Sequence, residues 1–123
     1  MWDGINRRKF PRANYACRIH IRQKAVPQTI ITQTENIGAG GICVMIERDL
    51  GLFQDVELEL DLDDNMPAIK CLGTVVWVVK KRAAGDSGLA YDTGIEFAKI
   101  SEKDITRILS VVEDILKKGG TAA

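Results

Sequence analysis

Arg7, Arg8 and Arg12 crowd the start of the chain in RRKFPR, and Asn36, Gly38, Gly40 and Gly41 follow in NIGAGG. Arginine is a planar, permanently charged fork. It grips phosphate bidentately, reads the O6/N7 edge of guanine and stacks on flat rings. Asparagine presents both an acceptor and a donor, as a base edge requires. Glycine lets a backbone or a ligand come close. The stretch is therefore either a tight structural corner or part of a binding loop. If the basic segment folds over it, the pieces make a site for the phosphates and base of a guanine nucleotide. Spacing alone does not bring the two together.

Other chemistry is poorly served. A dinucleotide fingerprint begun at Gly38 would need its third glycine at Cys43, and a phosphate loop would need Lys-Ser/Thr where the chain has Ile42-Cys43. Cys17, Cys43, Cys71 and His20 show no zinc spacing, and all three cysteines are expected in strands as reduced core thiols. DLDDN at 61–65 has Met66 where a calcium loop needs Gly and Leu72 where it needs Glu. The single histidine and scattered serines form no nucleophile context, and Glu57, Glu59 and Asp61 read as a solvated stripe. No enzyme, cofactor or metal is expected.

The elements that must position these residues are mostly strands. Tyr15, Cys17, Ile19 and Ile21 alternate with polar neighbours, predicting one strand from Ala13 to Arg22. Residues 29–37, 41–46, 56–62, 68–81 and 89–97 read as five more, with a bulge or bend at Gly73, a turn at Gly51 and an interruption at Gly94. Then the period switches. Ser101 is a helix cap, and Ile105, Ile108, Leu109, Val112, Ile115 and Leu116 make one apolar face that ends before Gly119-Gly120. Six strands without an intervening helix predict an all-β antiparallel barrel or sandwich with one terminal helix. The expected organisation is a flexible basic arm over 1–12, the barrel and helix over 13–118, and a tail over 119–123.

The 123 residues fit one domain that folds without disulfide or metal. Net charge is zero, with 17 basic and 17 acidic side chains, but residues 1–24 carry seven basic groups against one acid. Such a segment expects an anionic partner. The sequence shows no apolar run long enough to span a bilayer and no secretory signal, so a cytoplasmic setting without membrane insertion is expected. Nucleic acid is a poor fit: only Phe10 and Tyr15 lie among the arginines, and the remaining body is acidic.

Arg8-Lys9-Phe10-Pro11-Arg12 followed by a strand, then Asn36-Ile37-Gly38-Ala39-Gly40-Gly41, and finally YDTGIEF before the terminal helix resemble the PilZ domain. Its pattern is R-x-x-x-R and then [D/N]-x-S-x-x-G. The resemblance covers about residues 7–117. It implies a six-stranded antiparallel barrel with a C-terminal helix, and a receptor for the bacterial second messenger cyclic di-GMP. Carried over, Arg8 and Arg12 hold phosphates and guanine, Asn36 reads a guanine edge, and Gly41 allows close approach. Arg7 is a further arginine for a stacked ligand pair. The arm closes on the ligand and the new surface meets an unidentified partner protein. Gly38 departs from the pattern, which has serine there. A lost hydroxyl costs about 0.5–1.5 kcal/mol, so weaker binding is expected, not none. The alternative is a domain that binds no nucleotide and acts as a protein adaptor.

Overall fold

The computed structural model describes residues 11–82 and 88–119. Arg7 and Arg8 lie outside them. Seven strands and one helix follow in order: β1 (Arg12–Asn14), β2 (Arg18–Arg22), β3 (Ile30–Gly38), β4 (Gly41–Ile46), β5 (Asp55–Asp61), β6 (Ile69–Arg82), β7 (Leu89–Lys99) and α1 (Glu102–Lys117). All pairings are antiparallel. The sheet runs β3-β2-β5-β6-β7-β4 and closes through β3–β4, with β1 added as an extra strand on β3. This is the expected six-stranded barrel plus one short strand.

Alternation builds the core. In β5, Val56, Leu58 and Leu60 are buried while Asp55, Glu57 and Asp61 are exposed. Ile19, Ile21, Ile37, Ile42, Val44, Val75 and Ile95 complete the same interior. Gly73 does mark a register shift in the β6–β7 pairing, and a Cβ there would stand 2.6 Å from Ile95 and 3.0 Å from Leu58.

The single strand expected over 13–22 is instead two. Tyr15, Ala16 and Cys17 cross between β1 and β2, so Cys17 is not in a strand. Thr34 explains the break. Its buried hydroxyl donates to the Tyr15 carbonyl at 2.6 Å and accepts from the Cys17 N–H at 3.0 Å, while its own N–H donates to the Cys17 carbonyl. At this residue β3 changes partner, from β2 over 30–33 to β1 over 36–38. Gly94 likewise does not interrupt its strand: β7 runs through it, and the irregularity falls opposite, between Val75 and Trp77.

The helix starts as its sequence requires. The Ser101 hydroxyl accepts from the Asp104 N–H at 3.1 Å, with Glu102 and Asp104 in the first turn. Ile108 and Val112 are buried, and the helix packs on β1 and β3. Arg107 reaches off the helix to the β5–β6 loop, donating from two nitrogens to both oxygens of Asp64 at 3.0–3.3 Å.

That clamp has a pH signature. The Arg107 hydrogen bonds hold the Asp64 carboxyl below the usual carboxylate range, against a partial opposing effect of burial. A depressed native pKa adds stability that is complete above the unfolded-state value and is lost as pH falls through the native one. Arg107→Ala is therefore expected to cost about 1 kcal/mol near neutrality. The gap to the parent should narrow as pH falls through the depressed native value, where the Asp64 carboxyl becomes protonated in both proteins. Urea midpoints measured across the acid limb check this. A gap that stays constant with pH would mean the arginine contributes packing alone.

Candidate functional site

The polar residues singled out in the sequence meet where β1 lies on β3. Arg12 stands opposite Gly38 and Asn14 opposite Asn36. From there the Arg12 side chain turns along β3. Its Nε donates to Asn36 Oδ1 at 3.1 Å, and a terminal guanidinium nitrogen donates to the same oxygen. Both side chains are half-buried. The stem of Arg12 occupies the place of a Gly38 side chain: a Cβ at Gly38 would lie 2.8 Å from Arg12 Cγ and 3.0 Å from the Pro11 carbonyl. Gly38 therefore has a structural reason to be glycine here. It is the berth of Arg12.

Gly41 has a different one. A Cβ there would stand 2.2 Å from the Ile95 carbonyl oxygen and 3.1 Å from the Cα of Glu96. The β3–β4 hairpin is thus pressed against β7, and the Gly40 carbonyl accepts from the Phe97 N–H at 2.9 Å. The structure brings Arg12, Asn36 and Gly38 into contact and pairs Gly38 with Gly41.

A row of paired residues continues from Asn36 across the barrel wall. Asn36 faces Cys43, Cys43 faces Gly94, and Gly94 faces Trp77. At ordinary strand spacing the row is about 14 Å long. The indole of Trp77 lies over Gly94, with ring atoms 2.3–2.4 Å from where a Cβ would be. Trp77 was missed in the sequence, where it reads as one more apolar strand residue. A tryptophan at the far end of this row offers a face on which a flat base can stack. Its only sequence signal is the nearby Gly94, which becomes informative once the register is known.

Two carboxylates border the row. Cys43 Sγ donates to Asp92 Oδ1 at 2.9 Å and to Glu35 Oε1 at 3.3 Å, and Lys81 lies 3.6 Å from Asp92 Oδ2. Glu35, Cys43 and Asp92 are close enough to share a cation. Burial raises the Cys43 thiol pKa far above its usual value, and the two carboxylates raise it further. In that state the thiol shares its single hydrogen with the two carboxylates. Burial also keeps Cys17 protonated and pushes Cys71 up to about 11.

A family model described as the PilZ domain matches residues 6–114. The chain belongs to the PilZ family. No curated protein matches it. Among solved structures, this PilZ domain resembles the PilZ domain of YcgR from Escherichia coli, solved with c-di-GMP, at a TM-score of 0.71 and 10% identity, covering 92% of this chain and 94% of that one. It resembles the Bacillus subtilis inhibitor of motility MotI/DgrA at a TM-score of 0.72 and 20% identity, covering 89% and 52%. It resembles K. pneumonia MrkH at 0.72 and 17%, covering 87% and 47%. This PilZ domain thus spans about half the length of MotI/DgrA and MrkH. At such identities these likenesses speak for the fold. Among the described residues, no helix is long and apolar enough to cross a membrane.

Proposed function

We propose that this PilZ domain is a bacterial, cytoplasmic receptor that binds cyclic di-GMP and passes the signal to a partner protein. The observation that carries the reading is the Arg12 guanidinium held at Asn36 over Gly38. Membership of the family supports it, as do the c-di-GMP complexes of YcgR and MrkH. Binding, not catalysis, is the work these residues suit.

In this reading Arg12 holds phosphate and guanine, and Asn36 turns its amide to a guanine edge. Arg8 supplies the second fork, and Arg7 the grip on a stacked second ligand. Trp77 offers its face to a base. The basic arm ahead of β1 closes on the ligand, and the closed surface is what the partner reads. Because Asn36 Oδ1 already accepts two hydrogen bonds from Arg12, the incoming base must share or displace them. Part of the ligand's binding energy is spent there.

Titration of the nucleotide-free protein with cyclic di-GMP, with GTP as control, tests the proposal. Micromolar or tighter binding specific to the cyclic dinucleotide is expected, and the stoichiometry reports on Arg7. Absence of binding at high concentration would favour a nucleotide-independent adaptor, the reading that Gly38 and the occupied Asn36 oxygen also fit.

Gly38 gives a sharper check. On sequence pattern alone, restoring serine should strengthen binding. Here the new Cβ would push the Arg12 stem off β3, and overpacking of this kind costs about 1–3 kcal/mol. Gly38→Ser is therefore expected to weaken cyclic di-GMP binding about fivefold or more. Tighter binding by the same variant would mean that Arg12 leaves this berth in the complex.

A further inference from the structure

The long β6–β7 ribbon outruns the barrel. β5 accompanies β6 only as far as Asp55 opposite Thr74. Two more hydrogen bonds follow, Phe53 N–H to the Val75 carbonyl at 2.7 Å and Val75 N–H to the Gln54 carbonyl at 2.9 Å. There the chain turns away through Gly51, at φ +92°. Beyond it β6 continues to Arg82, paired with β7 on one side. Among the described residues no strand lies on its other side over 78–82. Alternate residues of such an edge aim their N–H and C=O groups outward.

Two further features mark this edge. Phe53 sits where the β5 line ends, with φ +66°, a strained conformation for a bulky side chain, and is 69% exposed. Leu52, its neighbour in the chain, and Val79, on the free stretch of β6, are about half exposed. The edge is also cationic. Lys80, Lys81 and Arg82 are all exposed, and only Lys81 has an acidic partner among the described residues.

We propose that the β6 edge over 78–82 docks an extended acidic segment of a partner protein, added as a strand in line with β5 and anchored at one end by Phe53. Main-chain hydrogen bonds supply the affinity of such strand addition, and side chains supply the choice of strand. The cations choose here. They oppose a second copy of this edge, which would bring its own three, and they attract carboxylates on alternate residues of the incoming strand. The proposal is independent of the nucleotide reading.

The probe is a synthetic peptide alternating Val and Glu, with one alternating Val and Lys as control, added to the full chain and followed by backbone amide exchange and chemical shifts. The expected result is protection of alternate amides within 78–82 by the acidic peptide only. Charge reversal, Lys80→Glu with Arg82→Glu, should swap the preference to the basic peptide. Phe53→Ala should weaken acidic-peptide binding about fivefold, as for a peripheral interface anchor. These side chains are exposed, so unchanged thermal melting confirms that each variant folds. Equal binding of both peptides, protection elsewhere, or no protection at millimolar peptide would overturn the proposal. So would protection that rises with protein concentration in the absence of peptide, which would make the occupant a second copy.

Discussion

Arg12→Ala is expected to lower cyclic di-GMP affinity by about a hundredfold or more. Two contacts are lost together, because the guanidinium fork makes paired charge-assisted hydrogen bonds to phosphate or to a guanine edge. Hydrogen bonds to a charged group contribute about 1.5–3 kcal/mol each, and two of them exceed the roughly 2.7 kcal/mol that a hundredfold represents. The fold should survive, because β1 is anchored inside by Ala13, and Arg12 itself is only half-buried. Arg12→Lys should rescue little. A lysine is a point charge with no fork, and it cannot make the paired bonds to a phosphate or a base edge. Isothermal titration of the three proteins, with thermal melting as a check on folding, decides the matter. Near-parent affinity for Arg12→Ala would place the ligand elsewhere on the barrel.

The second large effect is on stability. Gly41→Ala puts a methyl group 2.2 Å from the Ile95 carbonyl oxygen, and both partners are backbone. Neither can rotate away. The β3–β4 hairpin would have to lift from β7, breaking the Phe97-to-Gly40 hydrogen bond and the ladder from Gly41 to Glu96. A strain of this kind exceeds ordinary overpacking, and a loss of about 3 kcal/mol or more is expected, a large share of a small domain's stability. Denaturant unfolding reads it directly. Gly88→Ala makes a useful comparison, because nothing lies within 4 Å of a Cβ there. If Gly41→Ala proved equally mild, the hairpin would be more pliant than its contacts imply.

These glycines also show what a sequence can and cannot disclose. Periodicity made β5 and the helix legible, since Val56, Leu58 and Leu60, then Ile108 and Val112, had only one way to share a core. It could not detect the crossing at 15–17. Cys17, Ile19 and Ile21 stay buried and their neighbours more exposed straight through the break, because alternation records which face is wet, not which strand is bonded. Thr34, the residue that makes the break, is distant in sequence. The reasons for Gly41 and Gly94 come from Ile95 and Trp77, brought by β7 and β6 from far along the chain. Arg12 and Asn36 were legible by type alone. Their contact was not, since it needs β1, a strand of three residues that no periodic pattern could announce.

The position of α1 sets a limit for protein engineering. The helix packs on β1 and β3, the two strands that carry Arg12 and Asn36, with Ile108, Val112 and Ala13 in one cluster. It is the backing plate of the arginine site, not an appendage to the barrel. A sensor module cut down to the seven strands would keep every residue of the motif and lose the support that aims them. Grafts of this domain into biosensors or switchable fusions should therefore retain the chain through Lys117 and place their junctions beyond it.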